Sequence, residues 1–395
     1  MTAHAVDHLI VGAGLAGIEA AAGIAEVAPD ARVTLLSADA DAPYDRPPLS
    51  KGLWTGTVPE PTRPDLPASA TLVHGRRGVA LDVGARVVTD DAGETWHYAR
   101  LLLATGGEPR RLGPPADRII HFRTLADYHR LRHLAAEGSR VIVIGGGFLG
   151  AELAAALTLV GRRVVLLMPE RGLGARVFPG DLARHLATEF AQRGVEVRGE
   201  TTVAGVRQVG KQVVVDVAGG EAVTGDLAIV AIGILPATEL ASRAGLRVED
   251  GIVVDRELRT SGPGVYAAGD VARYPDEALG GMRRVEHEDH ARHSGRVAGR
   301  NMAGAGEAYL HRPMFYGDLF DQGYEAVGLV DSRLETVAAW RTPYREGVVH
   351  YVADGMIRGI LLWNTWDRVD RARALLGTPH PAGTPPPDLD TPLPP

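Results

Sequence analysis

The most regular hydrophobic pattern of the chain lies near its middle. Val141–Ile144 is a short apolar run rich in β-branched residues, which predicts a buried parallel strand. Good helix formers follow at Ala151–Val160. Between them, Gly145, Gly147 and Gly150 form a GxGxxG spacing. A strand, a glycine turn and a helix in this order predict a dinucleotide-binding unit. The glycines let the backbone approach a pyrophosphate, and the free N–H groups at the helix start bind it.

The next strand of this unit carries the residue expected to choose the coenzyme. Arg163–Met168 is apolar and predicts a strand, and Glu170 lies just beyond it, 20 residues after Gly150. An acid at this place accepts the ribose 2′-hydroxyl and favours NAD over NADP. A membrane helix is the alternative for residues 141–161, which carry a single charge. The clustered glycines and the mid-span Glu152 argue against it.

A second glycine fingerprint stands near the start of the chain. His8–Val11 predicts a strand, residues 12–17 read GAGLAG, and Ile18–Val27 predicts the helix that follows. The residues expected to hold phosphates here are Gly12, Gly14, Leu15, Ala16 and Gly17. Two fingerprints about 130 residues apart, each in strand–turn–helix context, are a far stronger signal than one. The acid after the next strand, Arg32–Ser37, is less clear, because only Asp39 is available for the ribose.

The remaining pattern predicts further strands and helices on either side of the central unit. Residues 79–99 predict a hairpin, and Leu101–Leu103 a strand that runs into Ala104, Thr105 and Gly106. Helices are expected at residues 127–137 and 181–193 and from about 284 to 302, and strands at 195–199, 202–208, 211–217, 227–232 and 264–270. The last third predicts strands around 325–330, 336–341, 348–353 and 357–363, then a helix at 367–376.

Composition narrows the class of protein. The chain has 395 residues, a hydrophobic content of 45% and a net charge of −7, which favour two or three domains and argue against a nucleic-acid or anionic-membrane partner. Cysteine is absent, so the chain offers no dithiol and no thiolate ligands for an iron–sulfur cluster. The first strand begins close to Met1, which leaves no room for a signal peptide and predicts a cytoplasmic protein. Lysine occurs only at 51 and 211, which hints that position 51 needs an ammonium group.

Several longer motifs resemble those of known flavoproteins. Between and after the fingerprints the chain reads RPPLSK, LLATGG, GVYAAGD, RRVEHEDHARHSGRVAGRNMAG and PMFYGDL. In this order they resemble the flavoproteins with two dinucleotide domains, of the ferredoxin reductase, rubredoxin reductase and apoptosis-inducing factor type. The resemblance implies an α/β fold with two Rossmann-like domains and a C-terminal α+β domain. The expected FAD-binding domain comprises residues 1–115 and 240–308, and the expected NADH-binding domain comprises residues 116–239. The C-terminal α+β domain is expected at residues 309–377.

The resemblance also implies a set of site residues. FAD would be held by the first fingerprint together with Asp39, Arg46, Lys51, Val79, Ala104, Thr105, Gly106, Arg110, Asp270, Glu286 and His287. NADH would be held by the second fingerprint together with Phe148, Leu149, Glu170, Arg176, Gly233, Tyr316 and Glu325. Two positions depart from the family pattern, which has a ribose-binding Glu where this chain has Ala38 and a Trp where it has Tyr316.

The family pattern assigns catalysis to Lys51, Glu152 and His287. Hydride transfer from NADH leaves negative charge on the flavin, and a lysine near it stabilises that charge. Lys51 would pair with Glu152, which explains a carboxylate in an otherwise apolar helix start; the alternative is that Glu152 only favours its own helix N-terminus. No metal site is expected, because His287 and His290 have no third ligand at a suitable spacing and the family uses none.

Three functions of different classes remain open on the sequence. The first is an NADH oxidoreductase that reduces a small acceptor such as a quinone. The second is a reductase that passes electrons to a ferredoxin-like protein. The third is an NADH-binding redox sensor with slow turnover, whose reduced complex changes its oligomeric state or its partners; a homodimer is an open alternative. Residues 378–395 carry eight prolines and predict a disordered or polyproline II tail, with a PxxP match at 392–395.

Overall fold

The computed structural model describes residues 2–136, 138–380, 383 and 385–386, and the chain forms two compact units. The first unit comprises residues 1–45, 62–108 and 235–313, and the second comprises residues 46–61, 109–234 and 314–395. The first therefore collects most of the segments expected to bind FAD. The second contains the segments expected to bind NADH and the C-terminal segment. Most of the proline-rich tail, including the PxxP match, lies outside the described residues.

A seven-stranded sheet organises the first unit. Its central strand, Ala3–Val11, is paired in parallel with Val33–Leu36 on one side and with Thr95–Leu103 on the other. The other strands of this sheet are Ala70–Val73, Gly78–Asp82, Val87–Asp90 and Val265–Ala267. The helices Leu15–Val27 and Glu288–Met302 pack against each other, with the α-carbons of Gly295 and Gly299 close to the backbone of the first helix. Shorter elements are the helix Glu239–Arg243, the 3-10 helix Gly269–Val271 and the strands Ile252–Val253, Ala272–Pro275 and Met282–Arg283.

A five-stranded parallel sheet forms the nucleotide-binding part of the second unit. Its strand order is Glu196–Arg198, Arg163–Leu167, Arg140–Ile144, Leu227–Val230 and Ile119–His121. A three-stranded antiparallel sheet accompanies it, with strands Val203–Val209, Gln212–Val217 and Val223–Gly225. The helices are Gly52–Thr55, Leu125–Leu134, Phe148–Leu159 and Gly180–Gln192, with a 3-10 helix at Pro47–Ser50. The chain passes from one unit to the other within two short strands, Gly107–Pro109 and Ile234–Pro236.

The C-terminal part of the second unit is an antiparallel sheet with one helix. The five strands follow the order Met314–Leu319, Gln322–Gly328, Met356–Trp363, Glu346–Ala353 and Glu335–Thr342, and the helix is Val369–Leu375. The expected fold class, two Rossmann-like parts and a C-terminal α+β part, is therefore confirmed.

Differences from the predicted elements have local causes. The strand Met314–Leu319 was not expected, because its sequence, MFYGDL, has neither a long apolar run nor clean alternation. The helix after the second fingerprint begins at Phe148 rather than Ala151, because Gly147 already serves as its N-cap. The expected hairpin at 79–99 is instead an antiparallel meander of three strands, in which the last runs on to Leu103. Among the described residues, no helix is long and apolar enough to cross a bilayer. Residues 141–161 contain most of the strand Arg140–Ile144 and the helix Phe148–Leu159, so the alternative of one membrane helix there is wrong.

Candidate active site

The first glycine turn has the shape that a pyrophosphate requires. Gly12 has φ +110°, and a Cβ added there would lie 2.1 Å from the carbonyl oxygen of Ala104. A Cβ on Gly17 would lie 2.0 Å from the carbonyl oxygen of Gly12, so both glycines are needed for the close packing of turn and helix. Gly14 caps the helix Leu15–Val27 without a side-chain hydrogen bond and has open space beside it. The residues present therefore fit the phosphates of a dinucleotide such as FAD.

The loops around this turn hold the other residues expected near FAD in the first unit. The Thr105 hydroxyl donates to the carbonyl oxygen of Ala237 at 2.7 Å, and Gly106 turns the chain with φ +65°. The expected ribose acid, Asp39, follows the strand Val33–Leu36. Its carboxylate accepts hydrogen bonds from the hydroxyl of Tyr44 at 3.1 Å and the backbone N–H of Asp41 at 3.2 Å. These bonds hold Asp39 in place next to Ala38, where the family pattern has the Glu.

Val79, by contrast, is an exposed residue of the strand Gly78–Asp82. Its side chain is 40% exposed, and the pairing register of the strand shifts at this point. Its aliphatic side chain can contribute only van der Waals contact to nucleotide binding.

The segment before the long helix of the first unit brings together Asp270, Glu286 and His287. Arg284 donates to the carbonyl oxygen of Asp270 at 3.2 Å and to the carboxylate of Glu286 at 2.7 Å. His287 caps the helix Glu288–Met302. Burial lowers the pKa of His287 to about 4, although Asp270 opposes the shift. Its imidazole is therefore neutral at neutral pH, able to donate one hydrogen bond without carrying a positive charge.

The second glycine turn repeats the geometry of the first. Gly145 has φ +114°, and an added Cβ would meet the carbonyl oxygen of Ala231 at 2.3 Å. A Cβ on Gly150 would meet the carbonyl oxygen of Gly145 at 1.9 Å, whereas Gly147 is exposed and has open space beside it. Gly147 caps its helix without a side-chain bond. This turn thus also fits a dinucleotide, as the sequence predicted.

The ends of the neighbouring strands carry the residues expected to read the coenzyme. Glu170 follows the strand Arg163–Leu167 and accepts from the Arg176 Nε at 2.9 Å. Arg176 is 84% exposed, so this pair lies open to solvent. Gly233, with φ +94°, accepts at its carbonyl oxygen from the backbone N–H of Arg110 at 2.9 Å. Arg46 is the N-cap residue of the 3-10 helix Pro47–Ser50.

Phe148 and Leu149 begin the helix of the second turn. The Phe148 ring packs against Phe315, Tyr324 and Phe178, with ring centroids 5.2, 6.1 and 6.3 Å away. It is therefore part of an aromatic cluster, while Leu149 remains half-buried beside the exposed Gly147. The cluster fixes the start of this helix against the C-terminal sheet.

Lys51 and Glu152 form the ion pair that the family pattern implies. The Lys51 Nζ lies 3.3 Å from the Glu152 Oε1. The Ser50 hydroxyl donates to the other carboxylate oxygen of Glu152 at 2.6 Å. Burial raises the pKa of Glu152, while Lys51 and Ser50 act in the opposite direction. Two adjacent residues therefore compensate one buried carboxylate, and a purely local helix N-terminal role does not account for this arrangement.

Two groups around Lys51 were not singled out as partners by the sequence. The Asp318 Oδ2 lies 3.6 Å from Nζ, and the Tyr316 ring centroid lies 4.2 Å from it. Both residues lie on the unexpected strand Met314–Leu319, two apart and therefore on one face. In the sequence, only the spacing of two residues between Tyr316 and Asp318 indicates that their side chains share a face. That indication holds only if the segment is known to be a strand. Tyr316 thus offers the ammonium an aromatic face in place of the family's Trp.

Glu325 lies opposite Tyr316 in the antiparallel pair of strands. One of its carboxylate oxygens is buried without a hydrogen-bond partner in the described part of the chain. Burial, helped by Asp367, raises the pKa of Glu325, while Arg373 opposes the shift.

Comparisons with known proteins agree with this geometry. The family model for pyridine nucleotide-disulphide oxidoreductases matches residues 6–295, and the model for the C-terminal part of mitochondrion-associated apoptosis-inducing factor matches residues 298–343. A mitochondrial apoptosis-inducing factor 1 of Dictyostelium discoideum is 31% identical over 93% of this chain and 78% of its own length. The ferredoxin–NAD(+) reductase component of the anthranilate 1,2-dioxygenase system of Burkholderia cepacia is 35% identical over 83% of each protein.

The solved structures give the same result. A covalent putidaredoxin reductase–putidaredoxin complex matches 94% of this chain and 93% of its own with a TM-score of 0.86 and 27% identity. The family model spans most of the chain, including both glycine turns and the strand that ends before Asp270. No cysteine is present, so no dithiol of this chain carries electrons. The chain belongs to the pyridine nucleotide-disulphide oxidoreductase family and, within it, to the FAD-dependent NAD(P)H oxidoreductases of the ferredoxin reductase and apoptosis-inducing factor type.

Proposed function

We propose that this oxidoreductase is reduced by NADH and passes the electrons to a ferredoxin-like protein, with Lys51 and Glu152 as the central catalytic pair. FAD, when bound, supplies the redox chemistry by accepting hydride from NADH. The observation that carries the proposal is the buried contact of 3.3 Å between the Lys51 ammonium and the Glu152 carboxylate. A buried ion pair is costly to keep, and its retention here is explained by a charge that appears only during the reaction.

Each residue of the pair has a distinct task. Lys51 stabilises negative charge that develops on the flavin, and Glu152 holds the ammonium in place. Ser50 fixes the carboxylate by its hydrogen bond of 2.6 Å. Burial lowers the pKa of His287 to about 4, so its imidazole is neutral and can donate a hydrogen bond. Glu170 selects NADH by accepting from the ribose 2′-hydroxyl.

The acceptor class is supported by the proteins that resemble this chain over most of its length. The Burkholderia cepacia protein is named a ferredoxin–NAD(+) reductase, and the matched structure at TM-score 0.86 holds its reductase with putidaredoxin. A slowly turning NADH sensor is the second candidate. It is supported by the match to the C-terminal part of apoptosis-inducing factor at residues 298–343.

Anaerobic stopped-flow reduction followed by reoxidation tests the proposal. The FAD-loaded protein is reduced with one equivalent of NADH and mixed in turn with a plant-type or putidaredoxin-type ferredoxin, a quinone and oxygen. We expect NADH to reduce the flavin and the ferredoxin to reoxidise it faster than quinone or oxygen does. If only the quinone reoxidises the flavin, the acceptor is a small molecule and not a ferredoxin-like protein. Slow reoxidation by all three, with a change of oligomeric state on gel filtration, would favour the sensor.

A further inference from the structure

A cluster of two histidines and an aspartate lies in the first unit and contains none of the residues assigned to the nucleotides. One ligand atom each from Asp289, His293 and His311 lies within 4.8 Å of the others. Within the described residues, this is the one group of three or more such side chains with metal-binding spacing. These are not the histidines that the sequence analysis considered for a metal site, which were His287 and His290 and lacked a third ligand at a suitable spacing.

The chain positions two of the three residues by helix periodicity. Asp289 and His293 are four residues apart in the helix Glu288–Met302, so their side chains lie on one face. His311 comes from the segment after the helix and returns to the same face. A ligand bound by all three would therefore tie that segment to the first turns of the helix.

Existing contacts show that the three side chains already converge. The Asp289 carboxylate lies 2.5 Å from the His311 Nε2 and 3.3 Å from the His293 Nδ1, which also lies 2.8 Å from the backbone carbonyl oxygen of Asp289. The two imidazole rings are stacked, with centroids 3.6 Å apart and planes inclined by 10°. A neutral imidazole has one ring nitrogen with a free lone pair, which is the donor that a metal ion requires.

The cluster is also accessible without being a loose surface group. The side chains of Asp289 and His311 are 17% and 19% exposed, whereas that of His293 is 44% exposed. A solvated ion can thus enter from the side of His293 and meet two side chains that the fold holds in place. His290, next in sequence to Asp289, is occupied elsewhere, because its Nδ1 bonds the Tyr309 hydroxyl at 2.7 Å.

From this geometry we propose that Asp289, His293 and His311 bind a borderline divalent cation, with Zn²⁺ as the best match. Two imidazole nitrogens and one carboxylate oxygen suit Zn²⁺, Co²⁺ or Ni²⁺, whereas Mg²⁺ and Ca²⁺ prefer oxygen ligands alone. Three protein ligands leave one position of a tetrahedral site for water. Binding at the His311 Nε2 replaces its hydrogen bond to the Asp289 carboxylate, and the proton of that bond moves to the other ring nitrogen of His311 or to solvent. A small rotation of the stacked rings then directs a nitrogen of each ring at the ion.

Equilibrium metal binding to the untagged, FAD-loaded full-length protein tests this site. The protein is treated with a chelator, desalted and titrated with Zn²⁺ by calorimetry, and bound metal is counted after dialysis. We expect one equivalent in the wild type and affinity about tenfold or more weaker in His293→Ala and in His311→Ala. His97→Ala is the matched control, because His97 is an exposed histidine of the same unit, and it should bind Zn²⁺ like the wild type.

Thermal unfolding gives a second measurement. Zn²⁺ should raise the Tm of the wild type and of His97→Ala but not that of His293→Ala, since a ligand that binds only the folded state stabilises it. His293 is the most exposed of the three, so its substitution leaves a folded protein to measure even if His311→Ala does not fold. The proposal is overturned if the wild type binds no stoichiometric Zn²⁺, or if His293→Ala binds it with unchanged affinity. A hydrogen-bonded His–Asp–His cluster without a metal would give that result.

Discussion

The Glu152 carboxylate receives Ser50 on one oxygen and the Lys51 ammonium, 3.3 Å away, on the other. Glu152 belongs to the first turns of the helix Phe148–Leu159, while Ser50 and Lys51 end the proline-stiffened segment before Gly52. The prolines at 47 and 48 restrict that segment and hold both donors toward one acceptor. Because the carboxylate is buried, removal of either donor leaves its charge only partly compensated, so the three side chains should behave as a unit.

Substitution of this pair should slow hydride transfer far more than it weakens FAD binding. We expect Lys51→Ala to reduce the rate of flavin reduction by NADH on the order of 10²-fold, because the ammonium acts on charge that appears in the transition state. Glu152→Ala should slow the same step, and the double variant should be less than additive. Anaerobic single-turnover reduction of the four proteins measures this.

Lysine offers a natural control for this experiment, because Lys211 is the other lysine of the chain and is exposed on a turn. In Lys211→Ala, NADH should reduce the flavin at the wild-type rate. If the effects of the Lys51 and Glu152 substitutions simply add, the two residues do not act as a catalytic unit. The same conclusion follows if NADH reduces the flavin of Lys51→Ala at the wild-type rate, and the ion pair is then only structural.

The coenzyme preference should depend on Glu170. The wild type should prefer NADH to NADPH by about tenfold or more, because a carboxylate accepts from a ribose hydroxyl and repels a 2′-phosphate. In Glu170→Ala the Arg176 guanidinium loses its partner at 2.9 Å and becomes available to a phosphate, so the ratio should fall toward one. The ratio of kcat/KM values for the two coenzymes is the measurement.

Glu200→Ala serves as the control for coenzyme choice. Glu200 pairs with Arg171 at 2.8 Å, and both are exposed, so this variant also frees a nearby arginine but keeps Glu170. Its preference should remain that of the wild type. An equal loss of preference in both variants would assign the choice to the arginines rather than to Glu170.

Sequence alone predicted the parts of this molecule that depend on short stretches of chain. Both glycine turns, their strands and the position of Glu170 follow from local spacing, and the structure has them where they were expected. The approach of Lys51 to Glu152 came from the family pattern, since nothing local joins residues about one hundred positions apart. Asp318 and Ser50 were missed because their roles depend on how separate segments fold together. His311 was missed as a partner of His293 for the same reason.

Two glycines of the second turn have different surroundings: Gly150 is closely packed, whereas Gly147 has open space beside it. Gly150→Ala places a methyl group 1.9 Å from the carbonyl oxygen of Gly145, so the turn must shift, and we expect a loss of about 1–3 kcal/mol in the free energy of unfolding. Gly147→Ala has an ordinary φ of −78° and open space, so its stability should stay close to that of the wild type. Its methyl group instead occupies the approach of the coenzyme phosphates and should weaken NADH binding.

Chemical denaturation and NADH titration distinguish the two variants. FAD content should be unchanged in Gly147→Ala, because the first glycine turn is untouched. Wild-type NADH affinity in Gly147→Ala would show that the phosphates do not approach this glycine.

His350 provides a pH-dependent contribution to stability that is unrelated to catalysis. It lies on the strand Glu346–Ala353, its ring is fully buried 5.3 Å from that of His380, and neither ring nitrogen has a hydrogen-bond partner among the described residues. Burial, with the nearby His380, lowers the pKa of His350 from its ordinary 6.5 to about 4. The unfolded chain therefore takes up a proton at a pH where the folded chain does not. The resulting stability is present above pH 6.5 and is lost as the pH falls through 6.5 toward 4.

Between pH 7.5 and 5.5 this single group should lower the free energy of unfolding by about 1 kcal/mol. His350→Gln removes the titrating ring, so its stability should fall by that much less over the same pH range, whatever its absolute value at pH 7.5. Urea unfolding at both pH values measures the difference, and His97→Gln, which replaces an exposed histidine, should keep the wild-type dependence. If His350→Gln loses stability with pH as steeply as the wild type, then the pKa of His350 in the folded protein lies near its ordinary 6.5. Its buried ring must in that case find an acceptor, which would have to come from a rearrangement around His380.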